Sequence, residues 1–547
     1  MKKNRLNISW LASLIISMLV VVTSCKKDKN VAVTDVTLDK TTTSVAIGAT
    51  DMLSVVFTPS DATNKDLIWR SSNVAIATVA DGVVTGVSLG NVNVLAISKS
   101  DTTKRATCAV TITPSTGQVI TISGEITSDQ KWYAVARYKL SGFVYVKNNA
   151  ILTIEPGTII QGISGTKAAL MIERGSKIMA AGTAQKPIVF TSDKPKGQRA
   201  SGDWGGVVLL GKAKTNKHDS GTGVGIAEGG IGSLYGGDDD NDNSGVMQYV
   251  RIEFPGIALT SVANSEINGL TFYAVGRGTT IDHIQVSYSG DDSYEWFGGS
   301  VNCKYLVCIR GLDDEYDTDN GFSGTLQFLL GIRDANISDQ SGSNGYESDN
   351  DADGSLLTPT THPIFSNVTL YGPLASSATL PANHLFKRAM HIRRSSQLCT
   401  YNSVFVGWPK GLLLDGALGN TPTKAEDNTV QIENCILAGM QTNYEAASGT
   451  VATPYTVAQI QAYFEAPTRH NKADATLTDI LGANLLTITS PSLVPAAGNV
   501  VLTGASFTNS NLSANTFLDK TPTYRGAFGA TNWTTGWCNF DPQNTDY

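Results

Sequence analysis

Cysteine is scarce in this chain and never grouped. There are seven in 547 residues, too few and too scattered for a disulfide framework. No Cys-x-x-Cys pair or His–Cys spacing is present, which excludes the familiar structural zinc sites. Cys303 and Cys308 stand five apart in "CKYLVC"; along a strand they would face opposite sides and could not pair. Buried single thiols are the expected state of the six cysteines beyond Cys25. Basic clusters are missing as well. Charged residues make up only 16%, the net charge is −7, and no Lys/Arg block occurs, which argues against nucleic acid as a partner. Long apolar runs are limited to one, Ile8 to Val22; nothing after it approaches membrane-spanning length.

That run follows "MKKNR", the pattern of a secretory leader rather than a fold element. It leads into "VVTSC". Small residues directly before Cys25 resemble the lipobox of bacterial lipoproteins. The resemblance implies a signal peptide over 1–24, lipidation of Cys25, a charged tether over 25–30 and the membrane as a partner through the lipid. No Asp follows the Cys, which by the same resemblance implies outer-membrane rather than inner-membrane retention. A plain signal peptide or single membrane anchor is the alternative.

Glycine is abundant, 53 residues, alongside much Thr, Ser and Asn. With 41% hydrophobic residues, this profile belongs to an extracellular all-β chain rich in turns. Residues 31–113 alternate apolar and polar in short runs broken by Asp, Asn and Gly, with Trp69 as one large anchor. The stretches "IWRSSNVAIATV", "GVVTGVSLGNVNVLA" and "CAVTI" resemble the group 2 bacterial Ig-like domain. This implies a β-sandwich serving as a spacer or adhesive module.

From 118 to 440 the chain repeats itself. "LTIEPGTIIQG" recurs as "LMIERGSKIMAAG" at an offset of 18, Ile154 onto Ile172 and Gly157 onto Gly175. Strand, Gly turn and strand at a period near 20 predict coils of a parallel β-helix. A propeller would need a four-strand period near forty, and none is seen. Residues 441–547 depart from the pattern. Tyr455 to Ala466 has helical spacing, and the aromatic, Gly-rich end is expected to cover the open end of the β-helix or lie along its side. The expected fold class is therefore all-β: an N-terminal Ig-like β-sandwich, a right-handed parallel β-helix and a C-terminal capping region with a short helix.

One stretch concentrates charge. "LDDEYDTDNGFSG" holds five acids between Asp313 and Asp319. "GDDSYEWFGG" aligns with it at an offset of 22, Asp291 onto Asp313, Asp292 onto Asp314, Tyr294 onto Tyr316 and Glu295 onto Asp317. "GYESDND" aligns 30 residues later, with Glu347 onto Asp317 and Asp349 onto Asp319. On successive coils these side chains would stack about 4.8 Å apart, where like charges repel unless a cation bridges them. "DNDADG" places Asp349, Asp351 and Asp353 at alternate positions before Gly354, the first half of a calcium loop. The twelfth position is Thr360, so the helical form of that loop fails; Asp317 or Asp319 would complete the set. Asp240 and Asp242 in "DDDNDNSG" form a weaker calcium candidate.

Right-handed β-helices resemble the folds of pectate lyases and polygalacturonases, which use carboxylates, often with calcium and a basic residue. The carboxylates Asp291, Asp292, Asp313 and Asp314 and the bases Arg310 and Arg393 are the catalytic candidates, with Arg333, Arg394, His391 and His283 behind them. The Gly-His-Gly and Arg-x-Lys elements of polygalacturonases are absent. Trp296 and Tyr316, with Glu295, are the expected ligand-binding residues; Trp204 and Trp408 are similar flat surfaces. Through "DWGGVVLLGKAKTN", "NDNSGVMQYVRIEFPGI", "SYSGDDSYEWFGG" and "DQSGSNGYESDND", the chain resembles uncharacterised Gram-negative outer-membrane lipoproteins with a β-helix domain. The first reading is a surface lipoprotein whose calcium-stabilised β-helix acts as a binding or adhesive module for a glycan or other polymer. The alternatives are a calcium-dependent polysaccharide lyase or hydrolase, and an accessory of an outer-membrane protein complex.

Overall fold

The computed structural model describes residues 29–228, 231–258, 266–448 and 453–547. The leader and Cys25 lie outside the described residues. The chain divides into two compact units, the first ending at Ser115 and the second running from Thr116.

The first unit is a β-sandwich. Thr42–Ala46, Arg105–Thr113, Gly90–Ser98 and Leu67–Ser71 form one sheet, in that order. Thr50–Met52, Val83–Gly86 and Ala77–Ala80 form a second. Inward positions alternate with outward ones, so Val92, Val94 and Ala96 are buried on one strand and Cys108, Val110 and Ile112 on its neighbour. Trp69 packs against this core but is only partly buried.

The second unit winds 26 strands into one continuous sheet whose coils pair in parallel. Leu152 pairs with Ile178, and Val144 with Leu170, each 26 residues on. The 18-residue repeat therefore joins two faces of one coil, not successive coils. Both faces end in the same Glu-x-Gly turn. Gly157 and Gly175 stand at φ +88° and +90°, where a side chain would be strained, so the turn chemistry repeats faster than the coil does. Further along, the offsets of 22 and 30 are true coil steps: Tyr294 pairs with Tyr316, and Tyr316 with Tyr346.

A column of left-handed residues marks one bend of the coils from Tyr249 to Asn434. Tyr249, His283, Tyr305, Phe328, Asn367, Asn402 and Asn434 all have φ between +49° and +62° and stack in register. Their rings stack from Tyr249 through His283 and Tyr305 to Phe328 at 4.3–5.0 Å. The bend corrects one expectation. Tyr305 consumes one step of the alternation, so Cys303 and Cys308 both enter the interior. They remain free thiols there.

Aromatic side chains fill the interior. Tyr294 stacks on Tyr316 at 5.4 Å, and Trp296 on Phe272 at 5.2 Å and on Phe322 at 5.4 Å. The hydroxyls of this stacked pair reach backbone carbonyls: Tyr294 donates to Ile284 and Val307, Tyr316 to Leu306 and Leu330. The short helix Val457–Phe464 closes the end of this core with Ile460, Tyr463 and Phe464. Beyond it the chain returns along the outside. Side-chain amides on the coils pair both ways with its backbone: Asn402 with Ser506, Gln327 with Asp519 and Gln285 with Asn539, at 2.6–3.0 Å. Capping and side-covering both occur, by different parts of the last hundred residues.

Trp296→Ala should lower the unfolding free energy of the β-helix by about 3–5 kcal/mol, the cost of emptying a large core side chain. A surface aromatic would cost about 0.5 kcal/mol or less. Denaturant unfolding followed by circular dichroism measures the difference.

Candidate functional site

One face of the β-helix carries the charge. It is built from Leu270–Tyr273, Tyr294–Phe297, Tyr316–Asp319, Tyr346–Ser348, Arg388–Ile392 and Lys410–Leu414. Inward residues alternate with outward ones along each strand. Thr271, Glu295, Asp317, Glu347 and His391 therefore form one outward row, in register. The turns before the strands add Asp291 and Asp292 on one coil and Asp313 and Asp314 on the next.

The carboxylate oxygens converge. Three sets lie within 4.8 Å of one another: Asp291, Asp292 and Asp313; Asp292, Glu295 and Asp317; Asp314, Asp317 and Glu347. An ion at about 2.4 Å from each donor accommodates separations up to this size, and an all-carboxylate set suits a hard divalent cation. Asp292 and Asp314 are nearly buried, at 8% and 4% exposure. Burial, then repulsion from neighbouring acids, holds Asp291, Asp292, Asp314 and Asp317 well above the usual carboxylate range. Glu295 and Asp319 are raised for the same reasons, and burial pushes Asp313 to about 6.

The next coil is basic. Arg393 pairs with Asp349 at 2.7 Å and also with Glu347; Arg394 reaches Asp349 at 2.7 Å. His391 sits between Glu347 at 3.2 Å and Asp415 at 3.0 Å. Burial alone would raise Glu347, but Arg393 and His391 pull it down to about 2. Arg333, fully buried, holds the acidic turns in place. It pairs with Glu315 at 2.5 Å and donates to the carbonyls of Gly311 and Asn344 at 2.8 Å and to that of Asp313.

Several expectations are corrected. Asp349, Asp351 and Asp353 do not form a half calcium loop. Asp349 is occupied by two guanidinium groups. Asp351 accepts the backbone N–H of Asp353 and Ser355, both at 3.0 Å, and so organises its own turn. Asp353 is exposed. Asp317 stays in the acidic cluster, while Asp319 accepts the Asn320 N–H at 2.5 Å on the neighbouring row. The weaker pair also separates. Asp240 binds Lys214 at 2.9 Å, while Asp242 is buried against the backbone of Lys212. Trp296 and Tyr316 offer no surface to a ligand; alternation from the outward Glu295 and Asp317 turns both into the core, at 0% exposure. Trp204 and Trp408 are equally buried. Arg310 turns away to Asp334 at 3.1 Å. His283 belongs to the stacked bend. Glu347, aligned with Asp317 in the sequence but not assigned to the site, is the member of the acidic cluster that the sequence reading missed.

The two kinds of carboxylate set opposite pH dependences. Raised groups such as Asp313 cost stability when ionised, so metal-free protein should gain stability as pH falls from 7 toward about 5. Glu347, depressed, contributes stability above its unfolded value of 4.5, lost as pH falls toward about 2. The melting temperature in chelator should therefore peak at mildly acidic pH, and calcium should flatten the rise. A steady fall from pH 7 downward would contradict this electrostatic account.

Comparison with known proteins fits the two units. Residues 32–110 match the bacterial Ig-like domain (group 2). An uncharacterised protein of Clostridium acetobutylicum is 32% identical over 96 residues, 17% of this chain and 10% of that protein. The match thus spans about a tenth of that relative's length. Residues 124–480, most of the chain, match the pectate-lyase-like β-helix domain. The chain belongs to the pectate-lyase-like β-helix family, with a group 2 bacterial Ig-like domain ahead of its β-helix.

Proposed function

We propose that the acidic face binds an anionic polysaccharide through divalent cations, calcium being the cation class that suits the donors, on a lipoprotein held at the outer membrane through Cys25. The family match supports a polysaccharide-related role. The observation that carries the reading is the convergence of carboxylates from three coils, whose charges repel and lie buried. A cation relieves that repulsion and leaves coordination positions for the carboxylates or hydroxyls of a sugar polymer. Aromatic stacking has no part in it, since the aromatic row faces inward.

Binding is preferred over cleavage because the arginines are engaged. Arg393 and Arg394 hold Asp349, Arg310 holds Asp334 and Arg333 holds Glu315. A lyase needs a basic group free to take a proton; burial alone would lower Arg393, but Glu347 and Asp349 outweigh it and hold the guanidinium more firmly charged. One observation favours the second reading, a calcium-dependent lyase. Arg393 lies beside the acidic cluster, and a bound sugar that displaced both Glu347 and Asp349 would free it.

A polysaccharide panel, with and without chelator, tests both readings. Calcium-dependent retention without new chain ends supports binding. Calcium-dependent unsaturated ends establish the lyase, and absence of both removes the proposal. Calcium should raise the melting temperature by mass action, and Asp353→Ala should leave that shift intact. Cys25→Ala should move the protein from the membrane fraction to the soluble fraction; unchanged membrane association would reject the lipid anchor.

A further inference from the structure

A cavity of about 520 Å³ lies on a different face of the β-helix from the acidic cluster. One wall is the outside of the coils. Thr369 and Tyr371 on Ile364–Tyr371 reach it because Val368 and Leu370 alternate with them into the interior. The other wall is the chain beyond the capping helix, chiefly Leu477–Leu481, the loop over 482–501, Arg525 and Phe528. Its apolar lining is one packed cluster of Tyr371, Val404, Leu486, Leu493, Val501 and Phe528. Ser490 and Ser492 on the rim are exposed, so the cavity opens to solvent. Small-molecule sites typically measure about 300–1,000 Å³.

Two polar groups in this cavity lack the partners that their counterparts have elsewhere. Arg525 is the one cationic side chain lining it. Arg310, Arg333, Arg388, Arg393 and Arg394 each pair with a carboxylate, whereas Arg525 pairs with none among the described residues. Its Nε donates to the Gly504 carbonyl at 3.1 Å, and its terminal nitrogens take no acceptor among the described residues. Burial lowers the guanidinium from its ordinary value, and only the Cys435 thiol opposes. The one acid lining the cavity, Asp479, is already in use: it accepts the backbone N–H and the hydroxyl of Thr476, both at 2.7 Å, at the start of its own short helix.

Tyr371 is the second group. It is 6% exposed, yet its hydroxyl has no hydrogen-bond partner among the described residues. Burial alone raises it. Tyr294 and Tyr316, by contrast, donate to carbonyls. A buried polar group without a partner is costly. The free guanidinium nitrogens and the free phenol are donors without an acceptor, and a carboxylate suits the arginine fork. The apolar cluster around them suits hydrocarbon.

We propose that this cavity binds a small organic carboxylate with an apolar body, its carboxylate held by Arg525 and the Tyr371 hydroxyl. The site stands apart from the acidic face and needs no metal ion.

Two probes test it on the full chain, phenylacetate for an aromatic body and hexanoate for an aliphatic one. Binding is followed by saturation-transfer NMR and calorimetry without added divalent cation, so the acidic face takes no part. At least one probe should bind saturably, and its neutral amide should bind at least about tenfold more weakly. Tyr371→Phe removes a hydroxyl that the fold does not use. It should weaken the carboxylate about tenfold and leave the melting temperature unchanged. Arg525→Gln should abolish the preference for carboxylate over amide; if that variant does not fold, Tyr371→Phe decides alone. No saturable binding of either probe at about 10 mM, equal affinity for the amides, or binding unchanged in either folded variant overturns the proposal.

Discussion

Parallel pairing in register governs this β-helix. Hydrogen bonds between coils place each residue about 4.8 Å above its counterpart, so any choice of side chain is made for a column. Inside, the rule is favourable: Tyr294 lies on Tyr316, and Trp296 bridges Phe272 and Phe322. Outside, the same rule forces Glu295, Asp317 and Glu347 into one line. The acidic face and the aromatic interior thus share the same strands, since inward and outward positions alternate along each.

Stacked like charges are normally destabilising, and the fold limits the cost in two ways. Arg393, Arg394 and His391 neutralise the far end of the rows. Arg333 fixes the turns from below through their carbonyls. The middle of the row has neither remedy. Charge left uncompensated in a rigid frame is a common mark of a site kept for a ligand.

The sequence made much of this legible. Tyr and acid recurring together at offsets of 22 and 30 gave the true coil steps, because in-register pairing keeps the columns aligned while the turns vary in length. The offset of 18 misled, since two faces of one coil share a Glu-x-Gly turn. Alternation alone implies that an outward Glu295 turns Trp296 inward; reading tryptophan as a sugar platform set that rule aside. The calcium half-loop failed for a different reason. Its spacing is local, whereas Asp349 is claimed by Arg393 and Arg394 from the following coil, a contact that no local pattern displays. The inward placement of both Cys303 and Cys308 depended on the left-handed bend at Tyr305, a position where bulky residues are unusual.

The returning C-terminal segment alters the mechanics of the whole coil stack. In a plain solenoid each repeat touches only its neighbours, and ends can fray independently. Here Ser506, Asp519 and Asn539 bind coils at Asn402, Gln327 and Gln285, and Pro542 accepts from Arg199. One strap thus spans early and late coils. Opening a single coil means peeling that strap, so neighbouring coils lose their outer cover together. Such long-range closure raises the mean sequence separation of contacts, which slows folding and makes a modular stack respond to load as one cooperative body.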